Sequence, residues 1–214
     1  MPQALALDIE EQEPKKRYTY KDYLTWPESF RCELINGEIY VDGQLYEGEP
    51  PTEEALFGMA APSTTHQRVL GELHYQLHGF LRNKACQVFP APFAVRFPSQ
   101  TEDDTDKIFQ PDLVVVCDRS KIDERGCKGA PDFIIEILSP STATNDLLYK
   151  LNIYRNAGVR EYWVVDPKRK HIGVYSLENG EYKYAGFDAE TTTKLPIGVL
   201  PGCVIDLTTV FAPG

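Results

Sequence analysis

Two apolar runs, each opened by a Pro-Asp pair, most restrict what this chain can fold into: "PDLVVVCD" from Pro111 and "PDFIIEIL" from Pro131. Neither alternates apolar with polar residues, so neither suits a strand with one face in water. Both read as central strands covered on two sides, and "EYWVVD" from Glu161 reads as a third. The covering elements are present in the sequence. From Ser63 to about Lys84, Val69, Leu70, Leu73, Leu77, Phe80 and Leu81 fall on one helical face. A second helix is expected from Ser141 to Ala157, with Gly158 placed as its C-terminal cap. Strands interleaved with helices predict the α/β class, with a central mixed sheet flanked by helices.

Further elements decorate that core. Asn36-Gly37 within "FRCELINGEIYVDG" and Asn179-Gly180 within "HIGVYSLENGEYKYAGF" predict an N-terminal and a C-terminal hairpin. "TYKDYLTW" (19–26) predicts a short helix capped by Thr19 and ended by Pro27. Residues 86–97, interrupted by Pro90 and Pro92, read as short strands. Glu47–Thr65 reads as an irregular connection and "SQTEDDTDK" as an exposed acidic loop. "PGCVIDLTTVF" adds a strand or a docked segment. Residues 1–17 are expected as a flexible tail and 18–214 as one domain.

Composition excludes several classes. No apolar run approaches the roughly 18 residues needed to cross a bilayer. The first residues lack the basic start and long apolar region of a signal peptide. Five cysteines (Cys32, Cys86, Cys117, Cys127 and Cys203), an odd set without a CxxC pair, predict reduced thiols in a cytoplasm and argue against a zinc module. A formal net charge of −10 counts against a non-specific nucleic-acid binder, whose affinity comes largely from neutralising phosphates. Any nucleic-acid function must use a local basic surface or bridging metal ions. "DPKRKH" (166–171) is the obvious basic stretch, and it is more simply a solvated turn. His74 and His78 lie one helical turn apart but lack a third ligand.

A Glu inside "FIIEIL" needs a cation, a hydrogen-bond network or a raised pKa. Asp132 shares its strand face with Glu136, but four residues of strand separate their backbones by about 13 Å. Divalent ions hold oxygen ligands at roughly 2.0–2.6 Å, so this pair does not share one ion easily. Asp112 opens a different strand, and neighbouring strands run only about 4.8 Å apart. Asp112 is therefore the better partner for Glu136. The other reading of Glu136 is a core residue satisfied by Arg155 or Arg160. Lys150 lies beside the Leu147, Leu151 and Tyr154 stripe of the second helix, where its ammonium can reach the end of the preceding strand. Taken alone, snorkelling to water or pairing with Asp146 is the simpler reading; together with Asp112 and Glu136 the site reading is the better one.

Pro111-Asp112, then Glu136-x-Leu138, with a lysine moved to Lys150, resembles the PD-(D/E)XK nuclease superfamily. More specifically, the chain resembles the Uma-two family of restriction-endonuclease-like proteins. The resemblance is carried by "YTYKDYLTWP", "CELINGEIYV", "STTHQRVLGELHYQL", "QPDLVVV", "GAPDFIIEILSPST" and "DLLYKLNIYRNAGVREYWVVDP", over about 18–208. It implies a restriction-endonuclease-like core, with Asp112 and Glu136 as ligands of Mg²⁺ (or Mn²⁺) and Lys150 near the scissile phosphate. It also marks Glu33 as a further acid and His66 as a group near metal, water or phosphate. Apart from the resemblance, Glu33 reads as a hairpin cross-strand residue and His66 as a helix N-terminal one. The implied activity is endonucleolytic hydrolysis of DNA, with a homodimer expected from enzymes that cut two strands. The alternative is a non-catalytic binding or regulatory module on the same fold. Leu138, where the simplest pattern has lysine, makes the chemistry depend on Lys150.

Overall fold

The two apolar runs become neighbouring strands. In the computed structural model, which describes residues 15–27, 29–41, 43–52, 62–98, 101, 104–138 and 144–213 (side chains of 144–148 excepted), β7 (Leu113–Val116) pairs antiparallel with β10 (Phe133–Ile137). Phe133 faces Val115 and Ile135 faces Leu113. β10 then pairs in parallel with β11 (Glu161–Asp166). Parallel neighbours require a crossover, and α3 (Thr144–Ala157) supplies it. β4 (Gln87–Pro90) closes one edge, and the hairpin β12 (His171–Glu178) and β13 (Glu181–Asp188) closes the other. The six strands run β13-β12-β11-β10-β7-β4.

Both faces of this sheet are covered, as the unbroken apolar runs require. Leu113, Val115, Phe133 and Ile135 pack with Val69, Leu73, Leu77 and Leu81 of α2 (Thr64–Leu81). Val114, Val116 and Ile134 point the other way, into a cluster with Tyr154, Ile35, Val95 and Phe109. Each such side chain contributes roughly 1.5–3 kcal/mol when fully buried. Leu73→Ala, at a position with no exposure, is the kind of single change that opens this layer, at about 2–5 kcal/mol.

The second cluster has its own sheet behind it. Seven short strands run in the order β3 (Gln44–Leu45), β2 (Glu38–Val41), β1 (Glu33–Ile35), β6 (Ile108–Phe109), β5 (Val95–Arg96), β9 (Gly126–Lys128), β8 (Ile122–Asp123). The N-terminal hairpin is thus part of a layer over β7 and β10. Its turn places Asn36 at φ 52° and Gly37 at φ 77°, and Asn179-Gly180 turns the same way at 51° and 83°. Positive φ at both central positions selects Asn-Gly because its twist matches the flanking strands.

The short N-terminal helix is α1 (Tyr20–Tyr23), where Asp22 accepts from the Thr19 N–H at 2.8 Å. The C-terminal segment is both strand and docked element: β14 (Lys194–Pro196) pairs with β15 (Val204–Asp206), and α4 (Leu207–Val210) packs on α2. Parts of five sequence readings lie outside the described residues: 1–14 of the tail, Asp42 at the end of the N-terminal hairpin stretch, 53–61 of the irregular connection, 99, 100, 102 and 103 of the acidic loop, and 141–143 at the start of the second helix. The side chains of Leu147 and Asp146 also lie outside them.

One expectation is corrected. Cys86 and Cys117 form a disulfide, so the five cysteines are not all reduced thiols. The β4–β7 register explains why: Gln87 faces Val116, which sets Cys86 opposite Cys117 one step further. Cys32, Cys127 and Cys203 are free and buried. No helix among the described residues is long and apolar enough to cross a membrane.

Candidate active site

Continuing the β7–β10 register by one step sets Asp112 opposite Glu136. Strand alternation turns both toward the face of Val114 and Ile134. Asp112 Oδ2 accepts a hydrogen bond from the Ile137 N–H at 2.7 Å, which fixes its carboxylate at the end of β10. The same oxygen lies 3.2 Å from His66 Nε2. Ser63 caps α2 by accepting from the His66 N–H at 3.2 Å, so the first turn that carries the imidazole is itself held.

Lys150 comes from the crossover helix. Its Nζ lies 2.9 Å from Glu33 Oε2 and 3.1 Å from Glu136 Oε1. The three side chains are only 8%, 13% and 12% exposed, so this is not a screened surface pair worth a few tenths of a kcal/mol. One turn further along α3, the Tyr154 hydroxyl donates to Glu136 Oε1 at 3.0 Å. Glu33 projects from β1 of the other sheet and accepts from the Gln110 N–H at 3.1 Å. Gln110 in turn donates its side-chain amide to the Tyr23 hydroxyl at 2.7 Å. The residue two before Asp112 is thereby tied to both the hairpin and α1.

Burial pushes the Glu136 carboxyl far above the usual range; Lys150 opposes this, while Glu33 and Asp112 add to it. Tyr154 is raised well above an ordinary phenol, by burial first and then by Glu136 and Glu33. For His66 burial works against the charged form, but Asp112 outweighs it and holds the imidazole pKa above its ordinary value. Among the described residues, three carboxylates therefore gather around one ammonium and one imidazole.

A divalent cation would fall to Asp112 and Glu136. Asp112 and Glu136 offer hard carboxylate oxygens from facing positions on adjacent strands. No three His, Cys, Asp or Glu side chains among the described residues form a metal-holding group. An ion held by two carboxylates would keep several waters.

Asp132, the other Pro-Asp aspartate, stands at the opposite end of β10. It accepts from the Cys117 N–H at 2.6 Å and from Arg160 at 2.6 Å, a tie between strands. The basic stretch 166–171 is a turn, in which Asp166 Oδ1 accepts from the Lys168 and Arg169 N–H groups, each at 3.0 Å. Tyr154 and Gln110 do not stand out in the sequence as site residues. Tyr154 carries a signal, four residues after Lys150 on the same helix, but it reads there as core.

The family described as "Putative restriction endonuclease", Uma2, matches residues 20–208. The chain belongs to the Uma2 family. A crystal structure from Anabaena variabilis, described as that of "a putative nuclease belonging to DUF820", superposes on this Uma2 chain with a TM-score of 0.67. The match covers 91% of this chain and 97% of that one at 19% identity, a likeness of fold. No curated protein matches this Uma2 chain.

Proposed function

We propose that this Uma2 chain is a Mg²⁺-dependent endonuclease of the PD-(D/E)XK type, hydrolysing phosphodiester bonds in DNA. The reading is carried by Lys150, held between Glu33 and Glu136 beside the Asp112–His66 pair. Membership of a family described as "Putative restriction endonuclease" supports nuclease chemistry, and so does the description of the Anabaena protein as "a putative nuclease".

Asp112 and Glu136 would hold the ion. Bound there, Mg²⁺ (or Mn²⁺) would polarise a phosphoryl oxygen and lower the pKa of a coordinated water. Lys150, reached from the crossover helix, offsets negative charge that develops on the phosphorane-like transition state. Glu33 holds the ammonium in position and limits where it points. His66 Nε2 and the Ile137 N–H both hold Asp112 Oδ2, and Tyr154 and Lys150 both hold Glu136 Oε1. The chain as a whole is acidic, so a cation held by Asp112 and Glu136 would supply positive charge for a phosphate. Cutting both strands of a duplex requires two such sites, which a homodimer provides.

The test is cleavage of supercoiled plasmid and of RNA with Mg²⁺, Mn²⁺ or EDTA, comparing wild type with Glu136→Ala. Metal-dependent DNA cleavage that disappears in the variant supports the proposal. Absence of cleavage with bound DNA retained identifies a non-catalytic binding module instead.

A further inference from the structure

β4 is the outermost strand of its sheet and is held in the ladder from one side only, by β7. The ladder runs from Gln87 facing Val116 to Pro90 facing Leu113. One step further, the Ala91 N–H donates to the Asp112 carbonyl at 3.0 Å. The backbone of a candidate metal ligand is thus tied at one end of this ladder. The Cys86–Cys117 disulfide closes the other end.

Hydrogen-bonded and non-hydrogen-bonded pairs alternate along an antiparallel ladder. Ala91 and Asp112 form a hydrogen-bonded pair, so Cys86 and Cys117, an odd number of steps away, form the other kind. Cys117 turns its N–H to the opposite neighbour, donating to Asp132 Oδ2 at 2.6 Å. At this step sulfur, not backbone, ties β4 to β7.

The bridge is open to chemistry. Both cysteines are half-buried, on the margin of the cluster that α2 forms with the sheet. Cys86 also lines a hollow of about 420 Å³, together with Arg82, Lys84 and Arg119 and without any Asp or Glu. A small thiol can enter there, and positive charge near a disulfide favours the departure of a sulfur as thiolate. The remaining cysteines are the contrast. Cys32, Cys127 and Cys203 are free and buried, and burial pushes their thiols up to about 12, about 11 and about 11.

The simpler account is a staple that only stabilises the fold. A staple serves best where reductants do not reach it, whereas this one is half-exposed on an edge strand. Val88 and Phe89 still pack on the two clusters once the bond opens, so the strand loosens and does not leave.

We infer that the Cys86–Cys117 disulfide is a redox-sensitive lock, opened by a dithiol reductant, that sets how firmly β4 holds the Asp112 end of β7. Its regulatory consequence rests on the reading of Asp112 as a metal ligand of the nuclease. A thiolate of the reductant attacks one bridge sulfur and expels the other as thiolate, leaving a mixed disulfide. The second thiol of the reductant then displaces the attached protein sulfur. The reductant leaves as a cyclic disulfide, and its two electrons and two protons end on Cys86 and Cys117.

Dithiothreitol on the folded full chain is the test, read by iodoacetamide labelling and amide hydrogen exchange. Before treatment no cysteine should take the label; afterwards Cys86 and Cys117 should, and the three buried thiols should not. Exchange from Gln87 to Ala91 should quicken by about tenfold or more while β12 is unchanged, and reoxidation with oxidised glutathione should restore it. Cys86→Ser/Cys117→Ser should exchange as the reduced chain does, with or without dithiothreitol. Labelling of Cys86 and Cys117 before reduction overturns the assignment, because no bridge is then present. A bridge that yields only in urea is a staple and overturns it too. So does unchanged exchange from Gln87 to Ala91 after reduction, loosening spread equally to β12, or a serine variant that exchanges as the oxidised chain does. None of these measurements uses cleavage, so failure of the plasmid assay leaves them unaffected.

Discussion

The Tyr154 hydroxyl donates to Glu136 Oε1 at 3.0 Å, the same oxygen that Lys150 reaches from one helical turn earlier. Tyr154 itself touches neither water nor any surface. It positions the carboxylate. Tyr154→Phe keeps the packing and removes one donor, which costs about 1 kcal/mol of stability. Cleavage should slow by about tenfold, equivalent to about 1.4 kcal/mol of transition-state stabilisation, with the KM for DNA unchanged. Steady-state kinetics and a thermal melt check both; a rise in KM at constant kcat argues against a positioning role.

Removing the lysine has a pH signature. Lys150→Met leaves Glu33 and Glu136 buried without their shared cation, and breaking a buried pair costs about 3–5 kcal/mol. Glu136 is already raised in the folded state, so it favours folding in acid and that contribution is lost as pH rises through its folded value. Without Lys150 the loss grows. The stability gap between wild type and variant should be largest above about pH 8, the folded value of Glu136 in the wild type, and shrink in acid. Urea unfolding at both pH values measures it, and a gap that is equal at the two sinks the explanation.

The two Pro-Asp pairs should separate cleanly. Asp112→Asn should abolish metal-dependent cleavage while leaving the fold intact. Asp132→Ala should keep cleavage and lose about 1–3 kcal/mol, because the part-buried Cys117 N–H loses its acceptor and Arg160 its partner. The reverse pattern, read from plasmid cleavage and thermal melts of the two variants, would move the site to the other end of β10.

Acid should loosen the C-terminal segment first. The Thr208 hydroxyl and then Lys194 hold the Asp206 carboxyl down at about 2. A depressed acid contributes stability above its unfolded value of about 3.9 and loses it as pH falls toward the folded value. Asp206→Asn should flatten the stability curve between about pH 4 and pH 2. Amide exchange at β14 and β15 across that range is the direct measurement.

Much of this architecture is legible in the sequence, for identifiable reasons. Unbroken apolar runs, Asn-Gly turns and a helical stripe are local signals, and β7, β10, both hairpins and α2 follow from them. Strand geometry also puts Asp112 rather than Asp132 beside Glu136. The second sheet is less legible. Its strands β5, β6, β8 and β9 are two or three residues long, too short to show any period, and exist because other layers hold them. The Cys86–Cys117 bridge is invisible for a related reason, since only the pairing of β4 with β7 brings the two together. Tyr154 is hidden differently: an aromatic on an apolar stripe looks like packing, and its hydroxyl has meaning only once Glu136 lies beneath it.

The lysine's bond to Glu33 spans 117 residues of chain, and His66 reaches Asp112 across 46. Contacts so distant form only after the entropy of closing long loops has been met. The helices and hairpins of this protein can each form earlier, from neighbours in sequence. During refolding, far-ultraviolet dichroism should therefore recover before the charges around Lys150 are assembled. A chain that has regained its secondary structure is still without a site until hairpin, crossover helix and both sheets have met.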